Sequence, residues 1–303
     1  MARAVWIEAA INGPWGRALQ PLTPITPQEI VDEAVACARS GAAIIHVHAY
    51  DSRTGRQRDD WEIYAEIIEG VRAKVDAIVY PTIPLAGSPD APEPLQPEVR
   101  FAAVEELAKR GLIEWSIVDP GSANFARYRD LKEGRSGFVY ANPEAHIRHG
   151  LSLAAGLGFH PSFACYEPGF VRLGAALHRT VRSQGRRAPL PIYRVLFSQD
   201  FTFSFPPEEF YLTAYHRLLQ AEHSEAPWMA AGLGVDMRPL YPAILRMGGH
   251  LRIGLEDAPL GTQEGNGWWL ETVLAAVAAA GDRAATPAEV RQDLIALQAL
   301  HPD

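Results

Sequence analysis

Short apolar runs and amphipathic runs alternate along this chain from one end to the other. Strand-like stretches rich in β-branched residues fall at 4–11, 42–49, 77–83, 115–119, 160–166, 191–198, 227–232 and 250–255. Helical spacing predicts helices near 26–40, 60–74, 97–110, 143–157, 169–181, 207–221, 238–247 and 266–280. Helix ends carry their own markers. Thr26 precedes Pro27 and Glu29, a capping pattern repeated at Asn142-Pro143-Glu144 and Thr286-Pro287-Ala288-Glu289. Gly41, Gly111 and Gly248 stand where helices should stop. Eight strand–helix units without a long linker predict an α/β protein, a (β/α)8 TIM barrel built by residues 1–303 as one domain. The spare segment 286–300 predicts an additional C-terminal helix that caps a barrel end or joins a subunit contact. An open doubly wound sheet is the alternative, because periodicity does not encode strand order.

Composition narrows the classes. A chain of 303 residues, 48% hydrophobic and 21% charged, has the makeup of a protein with a sizeable core. The net charge of −8 argues against a nucleic-acid partner. Cys37 and Cys165 make no disulfide framework and lack metal-type spacing. The N-terminus has no signal-peptide pattern, and the Ala-rich stretch 273–280 stops at Gly281, short of a membrane span. The expectation is a cytoplasmic enzyme without a membrane partner. Trp228, Trp268 and Trp269 read as exposed aromatics, available for barrel packing or an oligomer contact.

The candidate chemistry starts at His46 and His48, which close the second strand in the run Ile-Ile-His-Val-His. Alternate strand residues share a face, so both imidazoles point the same way, and two neutral imidazoles are half of a divalent metal site. The competing reading is a pair of core histidines bonded to backbone. In the last strand, Arg252, Gly254 and Glu256 share the face opposite Leu251, Ile253 and Leu255. Strands eight, one and two become neighbours when a barrel closes, and active sites lie at the C-terminal strand ends. Glu256 then approaches both histidines, and two histidines with one carboxylate form the usual catalytic zinc set. Charges facing a strand core are costly without partners, which favours a built site. An amidohydrolase-type barrel fits poorly: its His-x-His closes the first strand, and here His160 starts strand five while strand six offers only Ser198 and Gln199.

These residues resemble the β-keto acid cleavage enzyme family, zinc-dependent (β/α)8 proteins akin to the 3-keto-5-aminohexanoate cleavage enzymes. The matching pieces are Ile25-Thr-Pro-Gln-Glu-Ile30, Gly41-Ala-Ala-Ile-Ile-His-Val-His48 with Gly55 and Tyr64, Gly121-Ser-Ala-Asn-Phe125, and Gly248-Gly-His-Leu-Arg-Ile-Gly-Leu-Glu-Asp257. The resemblance implies transfer of the acyl part of a small β-keto acid to CoA, with acetyl-CoA consumed and acetoacetate released. It implies that His46, His48 and Glu256 hold Zn2+, whose shell the substrate's carboxylate and keto oxygen complete. It also implies that Arg252 stabilises oxyanion charge while Asp257 handles the proton; a plain buried ion pair is the alternative. The family's members form homo-oligomers, so a dimer or tetramer is expected.

Other strand ends supply further candidates. Thr82, Asp119 and Ser122 are expected to contact substrate. Gly232 and Gly234 after strand seven, with Arg238, are expected to take the CoA phosphates. Two departures from the family pattern stand out. Pro14 occupies a place where members acting on amine-bearing substrates have a glutamate, which argues against a cationic keto acid. Strand five has Ser162 and Ala164 where the family usually has Pro-Glu-x-Glu; Glu167 is the next acid along. Alanine moves no proton, so a CoA-independent metal-dependent lyase, decarboxylase or hydrolase is the second reading. A non-catalytic metal-containing ligand-binding protein is the third, and Arg252 with Asp257 tells against it.

Overall fold

The computed structural model describes residues 2–92, 95–185, 188–223 and 226–300. Eight parallel strands form one sheet: β1 (Ile7–Ala10), β2 (Ile44–Val47), β3 (Ile78–Pro81), β4 (Trp115–Ile117), β5 (His160–Cys165), β6 (Ile192–Ser198), β7 (Trp228–Leu233) and β8 (His250–Ile253). They hydrogen-bond in the order β3-β2-β1-β8-β7-β6-β5-β4. The ends of that order also meet, with the Tyr80 and Trp115 rings 5.9 Å apart, so the sheet nearly closes into a barrel. The open doubly wound alternative is thereby excluded: β1 sits between β2 and β8, as closure requires.

Helices cover the outside: α1 (Pro27–Arg39), α2 (Trp61–Arg72), α3 (Ala102–Lys109), α4 (Glu144–Leu157), α5 (Pro168–Ser183), α6 (Glu209–His223), α7 (Tyr241–Arg246) and α8 (Asn266–Ala279). The first has the predicted capping box, with Thr26 accepting from the Glu29 N–H and the Glu29 carboxylate accepting from the Thr26 N–H. Those backbone bonds, led by Thr26, hold the Glu29 carboxyl down at about 2. Asn142 does not cap α4; its side chain donates to Gly121 O at 2.8 Å and ties the loop after β4 to the helix start. The predicted helix 97–110 breaks at Phe101, and 238–247 begins as a short 3-10 turn, Arg238–Leu240.

The predicted extra helix exists as α9 (Pro287–Leu300), and it caps the N-terminal end of the barrel. Asp293 accepts from the Trp6 indole at 2.9 Å, Arg291 pairs with Asp76 and Glu114, and Gln298 accepts from Leu190 N–H. Above it the lower barrel is filled by Trp6, stacked on His250 at 4.4 Å and 6.0 Å from Trp115. Trp228 and Trp269 are buried against helices and strands, contrary to the expectation of exposed aromatics, and only Trp268 is partly exposed. Periodicity did not show two short hairpins after strands, Tyr50–Asp51 with Arg56–Gln57 and Ala123–Phe125 with Phe138–Tyr140. Both rise over the C-terminal mouth and wall the site.

Candidate active site

Inside most such barrels the middle layer is branched and apolar. Here it holds Glu8, Arg194 and Arg252, each at most 3% exposed. The C-terminal mouth above them holds His46, His48 and Glu256. His46 Nε2 lies 3.4 Å from Glu256 Oε2, and His48 Nε2 lies 3.4 Å from Oε1. Donors about 2.1 Å from a shared ion at tetrahedral angles stand about 3.4 Å apart, so this is the spacing of a metal shell. His48 Nε2 is buried without a hydrogen-bond partner in the protein, a cost that a bound cation removes. The residues therefore fit a divalent metal.

The surroundings prepare each ligand. Gln57 donates from Nε2 to both oxygens of Asp59 at 2.9 Å, which turns its Oε1 toward His48. His48 Nδ1–H donates to that oxygen at 2.9 Å, leaving the Nε2 lone pair for a metal. Tyr64 completes the chain by donating to Asp59 at 2.8 Å. Asn12 accepts from His48 N–H and donates to His48 O, fixing the strand end. Glu256 does not continue β8, which ends at Ile253; it sits in a turn entered through Gly254 at φ +131°. That turn is held by Trp15 donating to Glu256 O, Gln20 donating to Leu255 O and Asn266 accepting from Leu255 N–H. Gly13 leaves room beside it, since a Cβ there would lie 2.7 Å from Glu256 Cγ.

Arg252 binds three carboxylates. Its guanidinium donates to both oxygens of Asp257 at 3.0 and 2.9 Å, and it lies 2.8 Å from Glu256 and 3.3 Å from Glu8. Tyr80 donates to Glu8 at 2.6 Å. Burial pushes the Glu256 carboxyl up, but Arg252, then His46 and His48, overcome this and hold it well below the usual range. Burial keeps the His46 imidazole far below its ordinary value, in the neutral form a metal needs. Burial also drives Asp257 up to about 7 against the pull of Arg252, with Glu256 adding to the rise. Asp119 is raised by burial as well.

The donor set faces a cavity that opens to solvent. Thr82 and Asp119 line it together with His46, His48, Arg252 and Glu256. Asp119 accepts from Tyr140 OH at 2.6 Å and from Ala164 N–H at 3.1 Å. Asp257 lies behind Arg252, outside that lining. Ser122 is exposed and accepts from Asn142 N–H at 2.8 Å, so it holds the loop rather than the cavity. A second, roomier chamber shares Pro14, Trp15, Gln57, Leu85 and Phe125 with the first and opens to solvent. Gly232, Gly234 and Arg238 line neither chamber. Arg238 donates twice to Asp236 at 2.9 Å and lies 5.0 Å from the Trp268 ring. Glu167 begins α5 and accepts from Ser204 N–H, away from the cavity.

Sequence reasoning missed Glu8, Arg194, Gln57 and Asp59. Glu8 and Arg194 each carried a signal, a lone charge in an apolar strand, which is the cue that singled out Arg252.

Fold and site together define a class: a (β/α)8 enzyme whose C-terminal mouth sets a His-His-Glu donor group against a buried arginine. Residues 4–295 match the family model described as beta-keto acid cleavage enzyme. The chain belongs to that family. A 3,5-dioxohexanoate:acetyl-CoA acetone transferase of Paraburkholderia graminis is 27% identical over 91% of this chain and 90% of its own length. A 3-oxoadipate:acetyl-CoA acetyltransferase of Cupriavidus necator is 24% identical, with 85% and 81% covered. A 3-keto-5-aminohexanoate cleavage enzyme of Fusobacterium nucleatum is 26% identical, with 90% and 91% covered. Apo ObcA shares the fold, with a TM-score of 0.68 at 17% identity; 90% of this chain is covered, and the chain spans 65% of that solved one. Among the described residues, no helix is long and apolar enough to cross a membrane.

Proposed function

We propose that this enzyme transfers the acyl part of a small β-keto acid to CoA, consuming acetyl-CoA and releasing acetoacetate. The observation that carries the reading is the buried His46–His48–Glu256 set, facing the cavity and sharing its carboxylate with Arg252. The co-substrate is supported by relatives whose names pair a keto acid with acetyl-CoA. In this reading His46, His48 and Glu256 hold Zn2+, and the bound ion supplies Lewis-acid polarisation of the keto group.

The exchange balances. The C2–C3 bond of the keto acid breaks, a bond from C2 to the acetyl carbon forms, and the CoA sulfur passes from the acetyl carbon to the acyl carbon. Arg252, lining the cavity, stabilises the oxyanion charge that develops as sulfur leaves one carbonyl carbon and attacks the other. Asp257, bidentate on that guanidinium and behind it, orients Arg252. The C2 proton is assigned to Asp257 by way of Arg252, which gives one N–H proton to Asp257 as it takes one from C2 and returns it to the product by the same path. Thr82 and Asp119 bound the substrate space, and Ser122 acts through the loop it holds. The CoA arm enters through the outer chamber, because the Gly232–Gly234 turn and Arg238 line neither space. The expectations of a homo-oligomer and of a cytoplasmic enzyme go with this reading, and light scattering tests the first.

A second reading is a CoA-independent lyase or decarboxylase, favoured by Ala164, which leaves the β5 wall of the cavity without an acid. One assay separates them: metal-quantified protein with β-keto acids, with and without acetyl-CoA, following acetoacetate. Acetoacetate that requires acetyl-CoA, and that disappears in Glu256→Gln and Asp257→Asn, supports the transfer. Keto-acid loss independent of acetyl-CoA supports the second reading.

A further inference from the structure

Among the described residues three arginines are almost completely buried, and they differ in how their donors are met. Arg252 has Glu8, Glu256 and Asp257. Arg100 donates to Pro84 O, Ala141 O and Tyr140 OH. Arg194, 2% exposed, leaves Nε and Nη2 buried without a hydrogen-bond partner. A guanidinium cannot shed its charge, so a buried one without a partner is expensive. Such a group is retained at little net cost where a ligand completes it.

Its position says what it faces. Along β6, Ile192, Arg194, Leu196 and Ser198 share one face of the strand, and Tyr193, Val195 and Phe197 share the other. Arg194 and Leu196 line the same cavity as the metal-type donors. Across the register on β5 stands Ala164, which offers no counter-charge and leaves space. Of the acids whose charge reaches Arg194, Asp119 is already bonded to Tyr140 and Ala164, and Glu8 to Tyr80 and Arg252. Only Glu8 Oε2 is left without a partner.

We propose that Arg194 is a specificity determinant that binds a second carboxylate, so that the preferred substrate is a β-keto acid with an acidic tail on its acyl part. The inference rests on the proposed function, in which the first carboxylate is engaged at the His46–His48–Glu256 centre. A neutral tail leaves Nε and Nη2 of Arg194 unpaired in the complex, whereas a carboxylate takes both.

The test compares a β-keto diacid with a β-keto acid of equal chain length ending in methyl, on zinc-loaded full-length protein. Wild type should favour the diacid by about a hundredfold in kcat/KM, as expected when a buried charged group is left unpaired. In Arg194→Gln that ratio should fall at least tenfold, mainly through KM of the diacid. A second variant, Ala164→Glu, places an internal carboxylate beside Arg194 and should erase the preference without removing the arginine. A binding arm works without turnover: glutarate should raise the melting temperature more than butyrate, and Arg194→Gln should abolish the difference. Equal loss on both substrates, or no preference in wild type, overturns the inference and returns Arg194 to a support for Glu8. Absence of acetoacetate from every substrate, with glutarate binding still dependent on Arg194, sinks the transfer reading and leaves this one standing.

Discussion

At the scale of single residues, the centre is a set of charges whose burial is tolerable only through one another. Removing one ligand should show this directly. Glu256→Gln should lose most bound metal and bring activity to background, read by metal analysis after dialysis. The outer partners matter almost as much, because Asp59 fixes the Gln57 amide and that amide sets the His48 tautomer. Asp59→Ala should weaken metal affinity by about 10- to 100-fold in a chelator competition, with the fold retained. Gly13→Ala reaches the same ligand by sterics alone: its Cβ, 2.7 Å from Glu256 Cγ, forces the carboxylate to move. Metal affinity should drop while far-UV circular dichroism stays unchanged. The histidine pair and Glu256 were legible from spacing because strand alternation and barrel closure are geometric rules. Gln57 and Asp59 were not, since a polar residue in a loop is chemically unremarkable until the loop folds back over the mouth.

At the scale of elements, local chemistry decides where helices begin and end. Thr26 and Thr286 both form reciprocal caps with a glutamate three residues on, as their sequences predict. Thr26→Ala should cost about 1 kcal/mol in urea unfolding. The same motif logic failed at Asn142, whose amide finds Gly121 O instead of its own helix. Competition between a local cap and a partner from another unit cannot be settled along the chain. The end of β8 shows the same limit. Alternation carried the strand to residue 255, yet Gly254 turns it with a positive φ, and a Cβ there would collide with the Ala10 carbonyl. That turn, not strand continuation, aims Glu256 at the histidines.

At the scale of the molecule, the barrel separates a structural end from a chemical one. Below, α9 bonds to Trp6, on which His250 stacks, and burial holds the His250 imidazole down at about 3 from an ordinary 6.5. A depressed histidine favours the folded state fully above pH 6.5, and the contribution is lost as pH falls toward 3. Melting temperature should therefore fall with acid across that window, and His250→Gln should flatten the slope. Above, the mouth gathers the charged groups of the site. The order of elements, the barrel class, the histidine pair and its carboxylate were determined by sequence alone, because periodicity and capping are short-range and strand closure follows a fixed rule. Tertiary structure alone decided which charges satisfy one another. Glu8 and Arg194 are both lone charges in apolar strands, but one found Arg252 and Tyr80 while the other kept two donors unmet. That difference depends on distances between strands far apart in the chain, where the energy of a buried charge is set by what lies within a few ångströms of it.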